Sequence, residues 1–396
     1  MHGKKARFVS LIVLILAVVF GLVIVATQPA QAQTFSVLYN FTGGSDGGFP
    51  SAGPIQDSVG TLYGTTYGGG NGDGVVYEVS TAGTETVLYT FCSQTNCADG
   101  RDPETPLARD RAGNIYGTTG FGGASYGCCG VVFKLDTAGN ETVLYSFTGS
   151  DGCIPWQGLV ADYTENLYGT AAYCGSRTSN YGTTFKVDAS GSLTILHAFA
   201  GPPSDGAYPW YGHLTMDEFG NLYGVTQSGG SNNYGVLYKL GQNGTLTLLH
   251  NFTGGTKDGC YPYGSVVQDG AGNLYGVTEY CGSHFSGTIW KVSKKGKETI
   301  LHNFARGTSD GCNPYSGMAR DSKGNLYGVT EKCGANNAGA LYKLNASGGL
   351  TLLHSFDYAD GAYPIGEVLR TTNGMLFGTT YQGGASNAGT VWSYVP

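Results

Sequence analysis

Charge is scarce in this chain: only 12% of its 396 residues are Asp, Glu, Lys or Arg. Runs long enough for amphipathic helices are missing, and with 67 glycines any helix would carry interior Gly at a cost of about 1 kcal/mol each. Beyond residue 33 no apolar run reaches membrane length. Several chemical signatures are absent too. There is no HExxH, no strand-to-helix nucleophile elbow and no phosphate-binding glycine pattern, so the glycines read as turn residues. What remains is rich in Gly, with 28 Tyr and 17 Phe, a composition that points to an all-β protein with many tight turns.

The N-terminus differs from the rest. Lys4, Lys5 and Arg7 precede an apolar run from Phe8 to Ala26, and Ala30-Gln31-Ala32 supplies the small-x-small pattern that export peptidases cut after. Residues 1–32 are expected to be a signal peptide, with an uncleaved membrane anchor as the alternative. Removing the three basic residues takes the formal charge from −7 to −10, which leaves no electrostatic footprint for nucleic acid.

One motif recurs seven times: LYGTT at 62–66, IYGTT at 115–119, LYGTA at 167–171, LYGVT at 222–226, 274–278 and 326–330, and LFGTT at 376–380. The first six tyrosines are spaced by 53, 52, 55, 52 and 52 residues, and Phe377 follows 50 later. A period near 50 marks a repeat architecture. Within one repeat, 205–252, an Asp-Gly turn leads to four short strands joined by tight turns, an antiparallel meander that cannot bury both faces alone.

The phasing predicts how the repeats assemble. The mature chain opens with a copy of the fourth strand (34–41) and ends with a copy of the third (389–394), so its two ends complete one sheet. This predicts a seven-bladed β-propeller of four-stranded antiparallel blades, closed by the N-terminal strand, which leaves no free sheet edge. A single domain, 33–396, is expected, with blades at about 44–91, 99–147, 151–199, 205–252, 258–304, 310–356, and 360–396 plus 34–42.

All ten cysteines lie beyond the export segment, as an oxidising destination requires. Three pairs share a spacing of 21: Cys153/Cys174, Cys260/Cys281 and Cys312/Cys333. In each, the first Cys follows Asp-Gly before strand one and the second lies six residues past the strand-two tyrosine. In a propeller both loops emerge on one rim, so three intrablade disulfides on one face are predicted. Cys92, Cys97, Cys128 and Cys129 break the pattern. Their pairing is open between Cys92–Cys97 with an adjacent Cys128–Cys129 bridge and cross-pairing, and their spacing fits no zinc motif.

Features repeated in most blades are explained by the fold. The turn aspartates (Asp46, Asp99, Asp151, Asp205, Asp258, Asp310, Asp360) lack the clustered carboxylates of a calcium loop. His197, His250, His302 and His354 fall on the outermost strands, too far apart to share one metal ion. No metal and no cofactor is therefore expected.

Residues that break the repeat are the better candidates. On the disulfide-bearing rim stand Trp156, Trp210, Tyr211, Tyr261, Tyr263, Tyr315 and Tyr363. Such rings suit stacking on sugar faces, although plugging gaps between blades beside the prolines is the first explanation for them. Glu279 and Glu331 stand just before bridging cysteines in adjacent blades. A glycosidase needs two carboxyls roughly 5–9.5 Å apart, and equivalent positions on neighbouring blades are expected to lie farther apart.

The combination of LYGTT, GxVYKL, VLYSF and DGxxPxxGL resembles the GloVer tandem repeat of bacterial exported proteins over residues 34–396. The resemblance to that choice-of-anchor family implies a shared repeat and export signal, with no common activity established among its members. The sequence ends at Pro396 after the last strand without a sorting tail, so free secretion or an N-terminal anchor is expected in place of C-terminal attachment.

The expected protein is thus a secreted or envelope-located, monomeric propeller without catalytic residues. It would bind an extracellular glycan or protein through Trp156, Trp210, Tyr211, Tyr263, Tyr315, Tyr363, Glu279 and Glu331. The alternatives are a carbohydrate-active or lactone-opening enzyme with acids in the central funnel, and a structural envelope or matrix protein. Membrane contact is expected only if the N-terminal segment stays uncleaved.

Overall fold

Each of the four recurring segments becomes one strand of a blade, and seven such blades follow one another along the chain. The computed structural model describes residues 33–124, 129–175 and 180–396. In the first blade the strands are Ile55–Gln56, Leu62–Thr66, Val75–Val79 and Glu85–Thr90, paired in that order and antiparallel throughout. The fold is all-β, and among the described residues only a single turn of 3-10 helix, Thr95–Cys97, interrupts it. Closure occurs as the phasing predicts. Thr34–Asn40 pairs with Thr390–Val395 as the outer strand of the last blade, with Thr34 opposite Val395 and Asn40 opposite Thr390.

Blade-to-blade cohesion comes from an aromatic zipper. The last residue of each VLYSF-type segment (Phe41, Phe91, Phe147, Phe199, Phe252, Phe304, Phe356) is fully buried. Each meets the third-strand aromatic of the following blade, from Phe41–Tyr77 at 5.0 Å to Phe356–Trp392 at 5.9 Å between ring centroids. Such pairs contribute roughly 0.5–1.5 kcal/mol beyond area burial.

The glycine of the LYG motif has a different job from close approach between blades, which is what its strand position suggests. Gly64 lies opposite Tyr77 in the same blade, and a Cβ there would stand 2.4 Å from the Tyr77 hydroxyl oxygen. The aromatic of strand three lies across the glycine of strand two, within one blade. The tyrosine beside it does more than pack. Its hydroxyl donates to the aspartate that opens the strand one–two hairpin, as in Tyr223–Asp217 at 3.1 Å and Tyr275–Asp269 at 2.9 Å. Asn221 and Asn273 donate to the same carboxylates.

His197, His250, His302 and His354 each place Nε2 against the turn aspartate leading into the next blade, at 2.7–3.3 Å. Tyr39, Tyr89 and Tyr145 make the equivalent bond through their hydroxyls. These aspartates also accept backbone N–H bonds within their own turns, as Asp205 does from Ala200 and Gly206. The residues form the same interblade clamp in either chemistry.

Cys153–Cys174, Cys260–Cys281 and Cys312–Cys333 are bonded, with Cα separations of 5.5, 5.4 and 5.5 Å. Cys92 bonds Cys97, the local option of the two open pairings, while Cys128 lies outside the described residues. Disulfides at this density belong to an oxidising compartment, and so to an exported protein. No helix among the described residues is long and apolar enough to cross a membrane.

Candidate functional site

Two repeat positions face the mouth of the funnel on the disulfide-bearing side, and both change from blade to blade. One follows the Asp-Gly-x-x-Pro turn and holds Ser51, Glu104, Trp156, Trp210, Tyr263, Tyr315 and Ile365. The other is the first residue past the LYGTT motif and holds Tyr67, Gly120, Ala172, Gln227, Glu279, Glu331 and Tyr381. Both positions recur at the same place in every blade, so the scaffold stays constant while the side chains at these two positions vary.

A cavity of about 500 Å³ opens among these rings, within the range of small-ligand sites. Its walls carry three carboxylates, Glu104, Glu279 and Glu331, and four tyrosines, Tyr211, Tyr315, Tyr363 and Tyr381. Glu279 and Glu331 both line this cavity. They lie near enough for the Glu331 charge to raise the pKa of Glu279.

The aromatic candidates divide in two. Tyr211, Tyr315 and Tyr363 line the cavity, while Trp156, Trp210 and Tyr263 back it. Tyr263 is only 5% exposed; it stacks on Tyr315 at 4.5 Å, and its hydroxyl accepts from Gln227 Nε2 at 2.5 Å. Trp156 and Trp210 pack at 5.1 Å, and Tyr211 joins both, at 5.9 and 5.6 Å. Trp156 lies over Gly120, where a Cβ would come within 2.1 Å of its Nε1. Packing therefore explains Trp156, Trp210 and Tyr263, while Tyr211 and Tyr315, held in the same cluster, line the cavity. Tyr363 pairs its hydroxyl with Tyr358 at 2.7 Å, and Tyr261 packs against Tyr234 and Tyr280.

Burial sets the electrostatics. Desolvation raises Glu279 to about 7, with a further upward push from Glu331 against the opposing effects of Tyr280 and Lys332. Glu104 is also raised to about 7, by desolvation first and then by the nearby Asp102 charge, although the Tyr211 hydroxyl donates to it at 3.4 Å. Glu331 is paired with Lys332 Nζ at 3.2 Å. Near neutrality the mouth thus holds carboxyls that can both donate and accept hydrogen bonds. Glu104 and Tyr381 were not among the sequence candidates, yet the signal was present: each breaks the repeat at a position where a candidate stands in another blade.

A second departure from the repeat lies deeper in the channel. Four residues before each hairpin opener the chain has Gly53, Pro106, Gly158 and Gly317 in four blades, but His213, Ser265 and Glu367 in the others. These three meet at the axis. Ser265 N–H donates to Glu367 Oε1 at 3.1 Å, and its hydroxyl donates to the same carboxylate. The His213 backbone N–H donates to Ser265 Oγ at 2.7 Å, and Nδ1 stands 2.8 Å from Ser265 Oγ and 3.3 Å from Glu367 Oε2. With its proton committed to Glu367, Ser265 is not a His-activated nucleophile. Burial alone would lower the His213 pKa, but the Glu367 carboxylate outweighs it and raises it. Burial alone would likewise raise Glu367, but His213 and Ser265 hold it low.

The fold has wide company. A streptogramin B lyase matches with a TM-score of 0.63 at 12% identity, covering 92% of this chain and 97% of the lyase. The extracellular domain of a B. thetaiotaomicron protein described as a hybrid two-component system matches at 0.60 and 11% identity. That match covers 91% of this chain and 39% of the other. A puromycin hydrolase matches at 0.50 and 13%, covering 84% and 50%. At such identities the likeness is one of fold, shared by enzymes and by an extracellular domain of a signalling protein. No curated protein matches in sequence. The Gloeobacter/Verrucomicrobia repeat matches residues 21–217 and 166–392, two overlapping stretches that span nearly the whole chain, and this chain belongs to that family.

Proposed function

We propose that this is an exported, non-catalytic binding propeller that takes a hydroxyl-rich ligand, a glycan segment, into its disulfide-bearing mouth, with residues 1–32 serving as the export signal. The observation that carries this reading is the cavity of about 500 Å³ in which Tyr211 and Tyr315 form the wall beside Glu104, Glu279 and Glu331. Aromatic faces stack on the apolar faces of sugar rings, and carboxyls at the edges bond the hydroxyls. Support for preorganisation comes from the Tyr263–Tyr315 stack and the three disulfides on that rim.

The test is a glycan array with the mature chain, followed by titration calorimetry of any hit against Tyr315→Ala and Glu331→Gln. Saturable binding weakened by both variants supports the reading. An empty array, or binding indifferent to both, defeats it.

One observation favours a second reading, an enzyme using these acids. Glu279, raised to about 7, has the protonation behaviour of a general acid near neutrality. A glycoside and lactone activity screen comparing wild type with Glu279→Gln separates the two readings, since only a catalytic Glu279 makes turnover vanish while binding survives.

A further inference from the structure

The clamp between blades four and five differs from the others. Its imidazole, His250, lies on the outer strand Leu246–Asn251, and Asp258 lies on the turn that follows. Glu298 opens the outer strand of blade five, Glu298–Asn303. His250 Nε2 stands 3.3 Å from Asp258 Oδ2 and 4.0 Å from Glu298 Oε1, and the three donor atoms all lie within 4.8 Å of one another.

Four residues before each clamp tyrosine or histidine, the chain carries glutamate in three blades (Glu85, Glu141, Glu298) and leucine or phenylalanine in the rest. Glu85 and Glu141 meet clamps made by Tyr39 and Tyr89, whereas Phe35 stacks on His354 at 3.7 Å. Among the described residues, no other histidine gathers two carboxylates this closely. The other tight group, Asp73 with Cys92 and Cys97, has its sulfurs bonded to each other and offers no thiolate.

The acids here call for a cation. Glu298 Oε1 is buried and accepts no hydrogen bond. Asp258 is held in place by the Thr253 N–H and hydroxyl at 2.7 and 2.9 Å and by the Gly259 N–H at 2.6 Å. Burial and then the Asp258 charge push the Glu298 pKa up, the mark of two carboxyls crowded together. A proton or a metal ion offsets such repulsion, and only at this clamp does an imidazole nitrogen stand within reach of both acids.

We propose that His250, Asp258 and Glu298 form a zinc(II) site that ties blade four to blade five. Zinc bonds imidazole nitrogen and carboxylate oxygen at about 2.0–2.2 Å, which sets the donors of a tetrahedral shell roughly 3.3–3.5 Å apart. His250 Nε2 and Asp258 Oδ2 already have this spacing, and Glu298 reaches it by moving about half an ångström. Thr253 and Gly259 supply the outer hydrogen bonds that orient a ligating carboxylate. Calcium and magnesium favour oxygen donors, so the imidazole selects against them.

The experiment is titration calorimetry of the full mature chain, stripped of metal by chelator and dialysis, with zinc chloride near neutral pH. One saturable site is expected, at least about tenfold weaker in His250→Gln and in Glu298→Gln. His302→Gln, altered in a clamp without the glutamate, should bind zinc as the wild type does. Excess calcium should not displace the zinc. Nitrogen-15 NMR of the wild-type imidazoles should show the His250 Nε2 resonance moving on zinc addition. Absence of saturable zinc binding, unaltered affinity in folded His250→Gln or Glu298→Gln, an equal loss in His302→Gln, or displacement by calcium overturns the proposal. Should the two ligand variants fail to fold, a His250 resonance that stays still under saturating zinc overturns it equally.

Discussion

Gly317 makes room for Glu367: a Cβ on Gly317 would stand 2.7 Å from Glu367 Oε1 and 3.0 Å from the Ser265 nitrogen. The carboxylate of the seventh blade reaches the serine of the fifth only because the sixth contributes no side chain between them. Gly317→Ala should therefore destabilise the fold by about 1–3 kcal/mol, the usual cost of overpacking, as read from urea unfolding. Glu367→Ala in the same chain removes the obstructed group, so the double variant should lose less than the two single losses added together.

The acids at the upper mouth set a pH dependence of stability. Glu104 and Glu279 rise from an ordinary 4.5 to about 7 in the folded chain, so the folded state binds more protons than the unfolded one between these values. Stability from these groups is full below about 4.5 and declines as pH rises through 7. Glu279→Gln, which mimics the protonated form, should flatten that decline in thermal melts taken between pH 5 and 8. A slope unchanged in this variant would mean that Glu279 is not held protonated by burial.

The architecture was legible because every blade repeats the same solution. Tyr63 to Phe377 gives the period, the split fourth and third strands at 34–41 and 389–394 give the closure, and the Cys spacing of 21 gives three bonds. The site was legible only in part, because funnel residues reveal themselves by failing to repeat. Glu279 and Glu331 were visible that way. Glu104 was hidden by standing where four other blades carry an aromatic ring. His213 was hidden by a one-residue insertion: Asp205 to Asp217 spans 12 residues where the other blades span 11, so counting from the turn aspartate puts Gly212 in its place. Strand register shows the equivalence, since Thr215 pairs with Tyr223 as Ile55 pairs with Tyr63.

The Cys312–Cys333 bond closes the blade that carries Glu331 and Tyr315. Removing it as Cys312→Ser/Cys333→Ser should cost roughly 3 kcal/mol by the loop-closure argument. It should also weaken ligand binding at the upper mouth, because the loop after strand two loses its tether to the turn before strand one. Calorimetry with the upper-mouth ligand, beside urea unfolding, checks both losses.

The seventh blade offers a test of why the tyrosine recurs. Its motif reads LFGTT, and the residue that opens its hairpin is Thr371 rather than aspartate. In the other six blades the tyrosine hydroxyl donates to that aspartate at 2.9–3.1 Å. Phenylalanine follows from the missing acid: Phe377 is 7% exposed, and a hydroxyl there would be buried without its acceptor, at a cost of about 1–3 kcal/mol. Phe377→Tyr alone should therefore destabilise the chain, and Thr371→Asp alone should gain nothing from a phenyl ring. Together they rebuild the pair of the other blades, and the double-mutant cycle should show a favourable coupling of about 1 kcal/mol in urea unfolding. Additive single effects would mean that the tyrosine recurs for ring packing alone.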